Sequence, residues 1–442
     1  MKRSAVVLAL AAAASSPAHA NPVDLFGFGA RATAMGGAQT AATDDGSANY
    51  YNPGALARGD QVRLDLGYQY ARPSLRMNGG DQNVPSSRGL AVALAVPMFV
   101  RGRHVVTVGT GLFLPDQQLL QIRTLPAQQP RWARYDHGPQ RFFFGAHAAA
   151  RLPGELQLGV GVGIMAEPSG SFHMSGRLGF PDSFDSELGL AVDLDVTPAL
   201  YPQLGLRWQP EPWLDVGLAY RGEFVVDSYQ LIVFEADIGP GGAAPIVDDA
   251  LIRIDARALD LFQPAQVAAG CAIRATPRIT VAADAVYARW SRFRNPTPVI
   301  ELELDVGQFN DFVDLGEAPR LEDPHFHDTL SLKTGVELLV ADGRHAAWRV
   351  RAGYSWEPTP APEQVGESNF VDNDRHGLAT GLGVRVSGLS QILPHPFDVD
   401  TYVAYTALPA RSHRKLSAVD AVGDYVARGS IWAAGITTGV RF

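Results

Sequence analysis

The stretch SIWAAGITTGVRF, residues 430–442, decides the fold. Successive side chains of an extended chain point to opposite faces. Trp432, Ala434, Ile436, Val440 and Phe442 therefore share one side, and Gly435, Thr437, Gly439 and Arg441 share the other. Working upstream, the same period of two returns again and again. Trp348, Val350, Ala352, Tyr354 and Trp356 alternate with Arg349, Arg351, Gly353 and Ser355. Leu330, Leu332, Thr334, Val336 and Leu338 alternate with Ser331, Lys333, Gly335 and Glu337; Val62, Leu64, Leu66, Tyr68 and Tyr70 alternate with Arg63, Asp65, Gly67 and Gln69. A soluble sandwich alternates too, so the pattern needs further discriminators.

Three are present. Aromatic residues gather near strand ends on the apolar face (Tyr68, Tyr70, Tyr220, Trp348, Trp356, Tyr405), as in the girdles of a membrane barrel. Full charges stand near strand middles on the other face, which suits a wet lumen. The runs reach roughly 10 to 13 residues, enough to cross a bilayer at a tilt. Strands are expected near 62–71, 88–98, 104–114, 140–152, 155–166, 199–209, 213–236, 258–275, 279–293, 328–340, 345–357, 375–386, 397–408 and 430–442. The alternating stretch Leu188 to Val196 is either a strand of its own or part of the long connection or of the start of the sixth strand; the merged reading is adopted because an extra strand would break the long–short rhythm. Connections between the strands are long and short in turn: 72–87 is long and 99–103 short, 115–139 is long and Pro153-Gly154 short, and so on through a moderate 387–396 to a long 409–429. Short turns on the periplasmic side and long loops outside give that rhythm. The expectation is an all-β, closed antiparallel transmembrane barrel of about fourteen strands, with both termini periplasmic, in the outer membrane of a Gram-negative cell. The terminal Phe442, with Val440 two residues before it, resembles the signal read by the barrel assembly machinery, which would be a partner during biogenesis; outer-membrane lipid would be the other lasting contact.

The N-terminus agrees. Lys2 and Arg3 precede a wholly apolar run from Ala5 to Ala14, and Ala18-His19-Ala20 has the small-x-small form that signal peptidase needs. Residues 1–20 read as a removable secretory leader, too short for a spanning helix. The longest apolar stretch after it, Leu90 to Val100, is about half the length a spanning helix requires. Acidic residues number 46 against 37 basic ones, and two of the basic ones lie in the leader, which argues against a nucleic-acid partner. Cys271 is the only cysteine, so there is neither an internal disulfide nor a thiolate zinc site. His325 and His327 share a face if extended but lack a third ligand nearby, and no metal is expected. No Gly-x-Ser-x-Gly elbow occurs, and Gly159-Val160-Gly161-Val162-Gly163 is a strand with a glycine-lined inner face rather than a phosphate loop. Neither catalysis nor a cofactor is expected.

Residues 21–57 do not alternate. They are rich in small side chains (Gly27, Gly29, Ala30, Ala32, Ala34, Gly36, Gly37, Ala38, Ala41, Ala42, Gly46), which suits a segment folded back into a narrow lumen. The division expected is a leader at 1–20, a plug at 21–57 and a barrel at 58–442. Phe28-Gly29-Ala30-Arg31-Ala32, Met35-Gly36-Gly37-Ala38, Asp44-Asp45 and Asn49-Tyr50-Tyr51-Asn52-Pro53-Gly54 resemble the N-terminal hatch of the FadL/TodX-type transporters. Gly54 stands where that family has Ala. Gln263-Pro264-Ala265-Gln266-Val267, the Trp290-Ser291-Arg292-Phe293 run, His327-Asp328 and Arg351-Ala352-Gly353-Tyr354-Ser355 resemble the same family, which thereby covers most of the mature chain.

The resemblance implies a barrel plugged by its hatch, with Gly29, Arg31, Gly36, Gly37, Asp44, Asp45, Asn52, Pro53 and Gly54 as the hatch motif. It implies passive uptake of hydrophobic small molecules, long-chain fatty acids or aromatic hydrocarbons, with exit through an opening in the wall. Two long connections carry unusual apolar content and are the expected capture surface: Leu119, Leu120, Ile122, Leu125 and Trp132 in one, Phe172 and Phe180 in the other. Arg349 and Arg351, two apart on the inner face, are the expected partners of a carboxylate head group. The competing readings are a general porin for polar solutes and a barrel that shuttles or scaffolds surface proteins.

Overall fold

The computed structural model describes residues 22–100, 103–117, 129–135, 142–179, 186–240, 244–307, 310, 322–388, 395–417 and 420–442. Fourteen strands form one closed antiparallel wall. They are β1 Arg63–Met77, β2 Ser87–Val100, β3 Arg103–Pro115, β4 Phe143–Leu152, β5 Leu156–Gly179, β6 Glu187–Glu211, β7 Leu214–Arg221, β8 Gln266–Thr276, β9 Ile279–Ala288, β10 Thr329–Asp342, β11 Ala346–Glu357, β12 Arg375–Val386, β13 Phe397–His413 and β14 Tyr425–Arg441. Each pairs with the next, and β14 returns to β1 in unbroken register from Arg63 opposite Arg441 to Met77 opposite Ala427. The Phe442 N–H donates to the Val62 carbonyl at 2.9 Å, so the last residue also lies in the seam. Closure leaves no edge at this seam, as a wall in lipid requires.

A wall strand lies at each expected place, and β1, β5, β6, β13 and β14 run further into the long connections than their alternation alone indicated. Leu188 to Val196 is continuous with the sixth strand, β6. Three runs differ from expectation. The stretches read as single strands at 213–236 and 258–275 are each broken, at Gly222-Glu223 and at Pro264-Ala265. Pro264 has no N–H to give a ladder, and a Cβ on Gly222 would strike the Pro202 ring, so the chain turns inward there. The continuations, Phe224–Gly239 and Val247–Gln263, form a hairpin of their own, to which Val299–Asp305 adds. The run read as 279–293 leaves the wall at Ala288 and closes with a 3₁₀ turn, Trp290–Arg292.

The outer face is apolar. Trp208, Trp213, Trp348 and Phe442 are exposed near the short turns, and Tyr68, Tyr70, Tyr220, Tyr287 and Tyr354 toward the long connections. No helix among the described residues is long and apolar enough to cross a membrane. Residues 22–58 occupy the lumen as short helices, α1 Pro22–Phe26, α2 Ala30–Ala34 and α3 Ala48–Tyr51, followed by a 3₁₀ turn, Pro53–Arg58. Wall glycines admit them. A Cβ on Gly159 or Gly205 would strike Pro53-Gly54, one on Gly217 would strike Thr40, and one on Gly335 or Gly353 would strike Met35-Gly36. The glycine-lined inner face of residues 159–163 thus lies against Pro53 and Gly54 at its first position.

Candidate functional site

The lumenal segment is fastened by charges below and by hydrogen bonds along its length. Arg31 meets Asp44 at 2.9 Å and Glu337 of β10 at 3.0 Å. Arg351 of β11 meets the same Glu337 and Asp400 of β13, each at 2.6 Å. Asp45 accepts from the Ser47 N–H at 2.9 Å, and the next residue, Gly46, donates to Asp65 of β1 at 2.6 Å. Asn52 donates to the Thr40 carbonyl at 2.6 Å and to the Leu206 carbonyl of β6 at 2.9 Å, while its own oxygen takes the Gly54 N–H at 3.0 Å. Pro53 starts the 3₁₀ turn that follows. Gly36 sits at φ +65°, with its Cα beside the Tyr354 and Thr334 backbones, a place only glycine fits. Gly29 and Gly37 flank α2 at its two turns. Enclosure in the lumen opposes ionisation of the Asp44 carboxyl, although its side chain is 41% exposed; the Arg31 guanidinium, with Arg58, Arg63 and Arg385 further off, holds it below the ordinary range.

Above these clamps, a cavity of about 120 Å³ lies between α1 and the inner faces of β7 to β14. Val23, Leu25, Phe26, Leu378, Ile431 and Ala433 give it apolar walls; Asp24, Tyr50, Arg221, Gln266, Lys333 and Glu357 give it polar ones. Arg221, the last residue of β7, lies 3.9 Å over the Tyr50 ring and donates to Asp24 at 3.2 Å, to the Tyr50 hydroxyl at 2.9 Å and to Gln266 at 3.1 Å. Burial opposes ionisation of Asp24, but Arg221, then Lys333 and Arg134, outweigh it and depress its carboxyl. The Lys333 ammonium lies 3.8 Å from Glu357. These two cations face the cavity. Arg349 and Arg351 instead line a smaller space of about 90 Å³ on the other side of α2, with Arg31 and Asp44. The spacing that marked them on one face carried no information on where the lumenal segment would divide the barrel.

Aromatic residues pack beside the cavity. Trp132 is fully buried, edge-on to Tyr135 with ring centroids 6.3 Å apart, in a cluster that includes Phe26, Leu75, Val371 and Ile431. Its short strand, Arg131–Trp132, pairs in parallel with Phe370–Val371. Trp132, expected on an exposed capture surface, is therefore buried in the cluster that includes Phe26 of α1. Phe172 is half-buried in the extension of β5. Leu119, Leu120, Ile122, Leu125 and Phe180 lie outside the described residues. A second aromatic cluster roofs the other side: Phe293 stacks on Phe326 at 4.4 Å, and Trp290 and Phe262 pack beside them. Asp24, Tyr50, Arg221 and Asp284 were not singled out from the sequence. Asp284 carried a usable signal, being the one inward charge in the small-residue run Ala282 to Ala288.

Residues 141–405 match the family model described as outer membrane protein transport protein (OMPP1/FadL/TodX). The chain belongs to this family. Solved structures with the same fold include a Pseudomonas aeruginosa FadL homologue, 15% identical with a TM-score of 0.60, covering 94% of this chain and 98% of that one. They also include the CymD monoaromatic hydrocarbon channel, 17% identical with a TM-score of 0.56 over 95% and 98% of the two chains. The Ralstonia pickettii toluene transporter TbuX is 16% identical with a TM-score of 0.54 over 95% and 99%. No curated protein matches the chain. Membership makes this wall an outer-membrane transport barrel, and its apolar outer face with aromatic residues at both rims is the surface such a barrel needs.

Proposed function

We propose that this family member takes up hydrophobic small molecules, long-chain fatty acids or aromatic hydrocarbons, passively through a barrel gated by its lumenal segment. The observation that carries the reading is the cavity of about 120 Å³ with its apolar wall, set between the buried Trp132 and Tyr135 cluster and the Arg31–Glu337–Arg351 clamp. Such a space suits an apolar body with a small polar end better than a stream of hydrated solutes. The solved relatives named as hydrocarbon channels and toluene transporters support the cargo class. Here residues 1–20 act as the leader, 21–57 as the hatch and 58–442 as the barrel. Both termini face the periplasm, and the assembly machinery reads the strand that ends at Phe442. Capture by the long connections, including Leu119, Leu120, Ile122, Leu125, Phe172 and Phe180, belongs to the same proposal.

A strain deleted for the gene should lose uptake of labelled long-chain fatty acid or toluene, and a variant lacking residues 21–50 should alter it. Normal uptake in a deletion strain without a second family member defeats the reading. Large steady conductance of the intact chain in planar bilayers would point to a polar-solute porin instead.

A further inference from the structure

The outer face of the wall changes character at the seam where the first and last strands meet. On β1, Leu66, Tyr68 and Tyr70 are exposed to lipid, while Ala71, Leu75 and Met77 point inward into the cluster that holds Trp132. The alternation is unbroken, so Arg72, Ser74 and Arg76 follow Tyr70 on the outer face. β14 does the same. Beyond the exposed Trp432 stand Ser430 and Arg428 on the outer face, with Ile431 and Ala427 turned inward. The register sets these side chains opposite one another: Arg72 against Trp432, Ser74 against Ser430 and Arg76 against Arg428.

Side chains directly opposite in an antiparallel ladder have Cβ atoms roughly 5 Å apart, and like charges so placed repel. Among the described residues, Arg72, Arg76 and Arg428 make no ion pair and no side-chain hydrogen bond that would relieve this. Of the acids at hand, Asp116 is taken by Arg88 at 2.8 Å and by the Tyr68 hydroxyl at 2.6 Å. Asp81 lies opposite Arg76 in the short hairpin and accepts the Asn83 N–H at 2.7 Å. Three guanidiniums thus share one carboxylate. Arg72 stands level with the aromatic rim, and the Arg76–Arg428 pair lies about 13 Å further along the strand, roughly 10 Å higher at a barrel strand's tilt. That height belongs to lipid headgroups rather than to hydrocarbon. An anion held between Arg76 and Arg428 turns their repulsion into a clamp, because the guanidinium fork matches phosphate oxygens two at a time. The Ser74 and Ser430 hydroxyls, paired just below, supply two further donors. We propose that Arg72, Ser74, Arg76, Arg428 and Ser430 bind the phosphate groups of a glycolipid of the outer leaflet, which staples β1 to β14 across the closing seam. The site lies outside the lumen and asks nothing of the cargo; it uses only the placement of the long connections on the outer side.

The test titrates the purified barrel in detergent with diphosphorylated lipid A, the same lipid stripped of phosphate, phosphatidylglycerol and inorganic phosphate. Native mass spectrometry and thermal unfolding read the binding. Wild type should retain diphosphorylated lipid A and unfold at higher temperature with it, and loss of the phosphates should weaken binding by about tenfold or more. The double variant Arg76→Ala, Arg428→Ala should lose binding to the same degree, while Arg76→Lys, Arg428→Lys keeps part of it. Both side chains are exposed, so each variant should migrate as a folded barrel before heating. Equal retention of lipid A by wild type and the alanine variant, or equal retention of the phosphate-free lipid by wild type, overturns the proposal. A full shift from inorganic phosphate alone would make this a free-anion site and overturn the lipid assignment. Preference for phosphatidylglycerol would put the patch in the inner leaflet, overturning both the proposal and the orientation of the termini given above.

Discussion

Asp284 of β9 holds Thr40 of the lumenal segment through one carboxylate oxygen, which accepts both the Thr40 N–H and the Thr40 hydroxyl at 2.8 Å. The same oxygen accepts the Gln39 N–H at 2.7 Å. All of these groups are buried, so removing the acceptor strands two backbone donors away from water. Asp284→Ala should weaken seating of residues 22–58 by about 2–4 kcal/mol. Asp284→Asn, which keeps an oxygen in place, should weaken it less. Protease cleavage within the segment and current noise in planar bilayers both report seating. Equal behaviour of Asp284→Ala and wild type in both would show that this oxygen does not hold the segment.

Gly353 of β11 permits the closest approach of segment and wall. A side chain there meets the backbone of Met35 and Gly36, which cannot yield as a flexible side chain would. Valine favours a strand, so Gly353→Val should leave the wall folded while dislodging α2. The expected result is normal heat-modifiability on gels together with conductance well above wild type. Wild-type conductance from a correctly assembled Gly353→Val barrel would mean that the segment can seat without this contact.

Trp132 is buried in one cluster with Phe26 and Ile431, two residues that line the cavity, and its truncation distinguishes a stopper from a capture residue. Loss of a fully buried tryptophan should lower barrel stability by about 3–5 kcal/mol and speed exchange of cargo with the outside. A residue of an exposed capture surface would instead weaken the first encounter with cargo and leave stability unchanged. Thermal unfolding and ligand off-rates of Trp132→Ala decide between them.

Much of this architecture was legible because lipid imposes one strict requirement. A closed wall needs a period of two on every strand, and Phe442, the Trp348–Trp356 run and the alternation of long and short connections all obey it. The same period misled at Phe224 and Gln263. A strand folded into the mouth alternates as a wall strand does, and which neighbour it pairs with is a tertiary matter. The lumenal placement of residues 22–58 was legible through their small side chains; the bonds of Asn52 to Thr40 and Leu206 follow from a polar side chain trapped beside backbone. Arg349 and Arg351 were correctly placed on the inner face. Nothing local to them, however, says that Glu337 and Asp400 would take Arg351, or that α2 would part them from the cavity where Arg221 and Lys333 stand. Trp132 shows the same limit, since an apolar residue in a long connection reads alike whether it greets a ligand or plugs a hole.

Acid should loosen the segment from below. Asp44 faces the 90 Å³ space beside Arg31, and its carboxyl is depressed from an ordinary value of 3.8. A carboxylate depressed in the folded state binds protons less readily there than in the unfolded chain. Its contribution is therefore complete above about pH 4 and shrinks as pH falls further, toward the depressed folded value. Glu337, shared by Arg31 and Arg351, ties the same clamp to the wall. The contribution of Asp44 to seating of residues 22–58 should thus be constant from about pH 7 to pH 5 and weaken below about pH 4. Asp44→Asn should already be weakened at neutral pH and should lose part of the acid response. Planar-bilayer conductance measured across this range checks both. A wild-type barrel that loosens between pH 7 and pH 5 would place the controlling group elsewhere. A response unchanged in Asp44→Asn would remove Asp44 from the clamp.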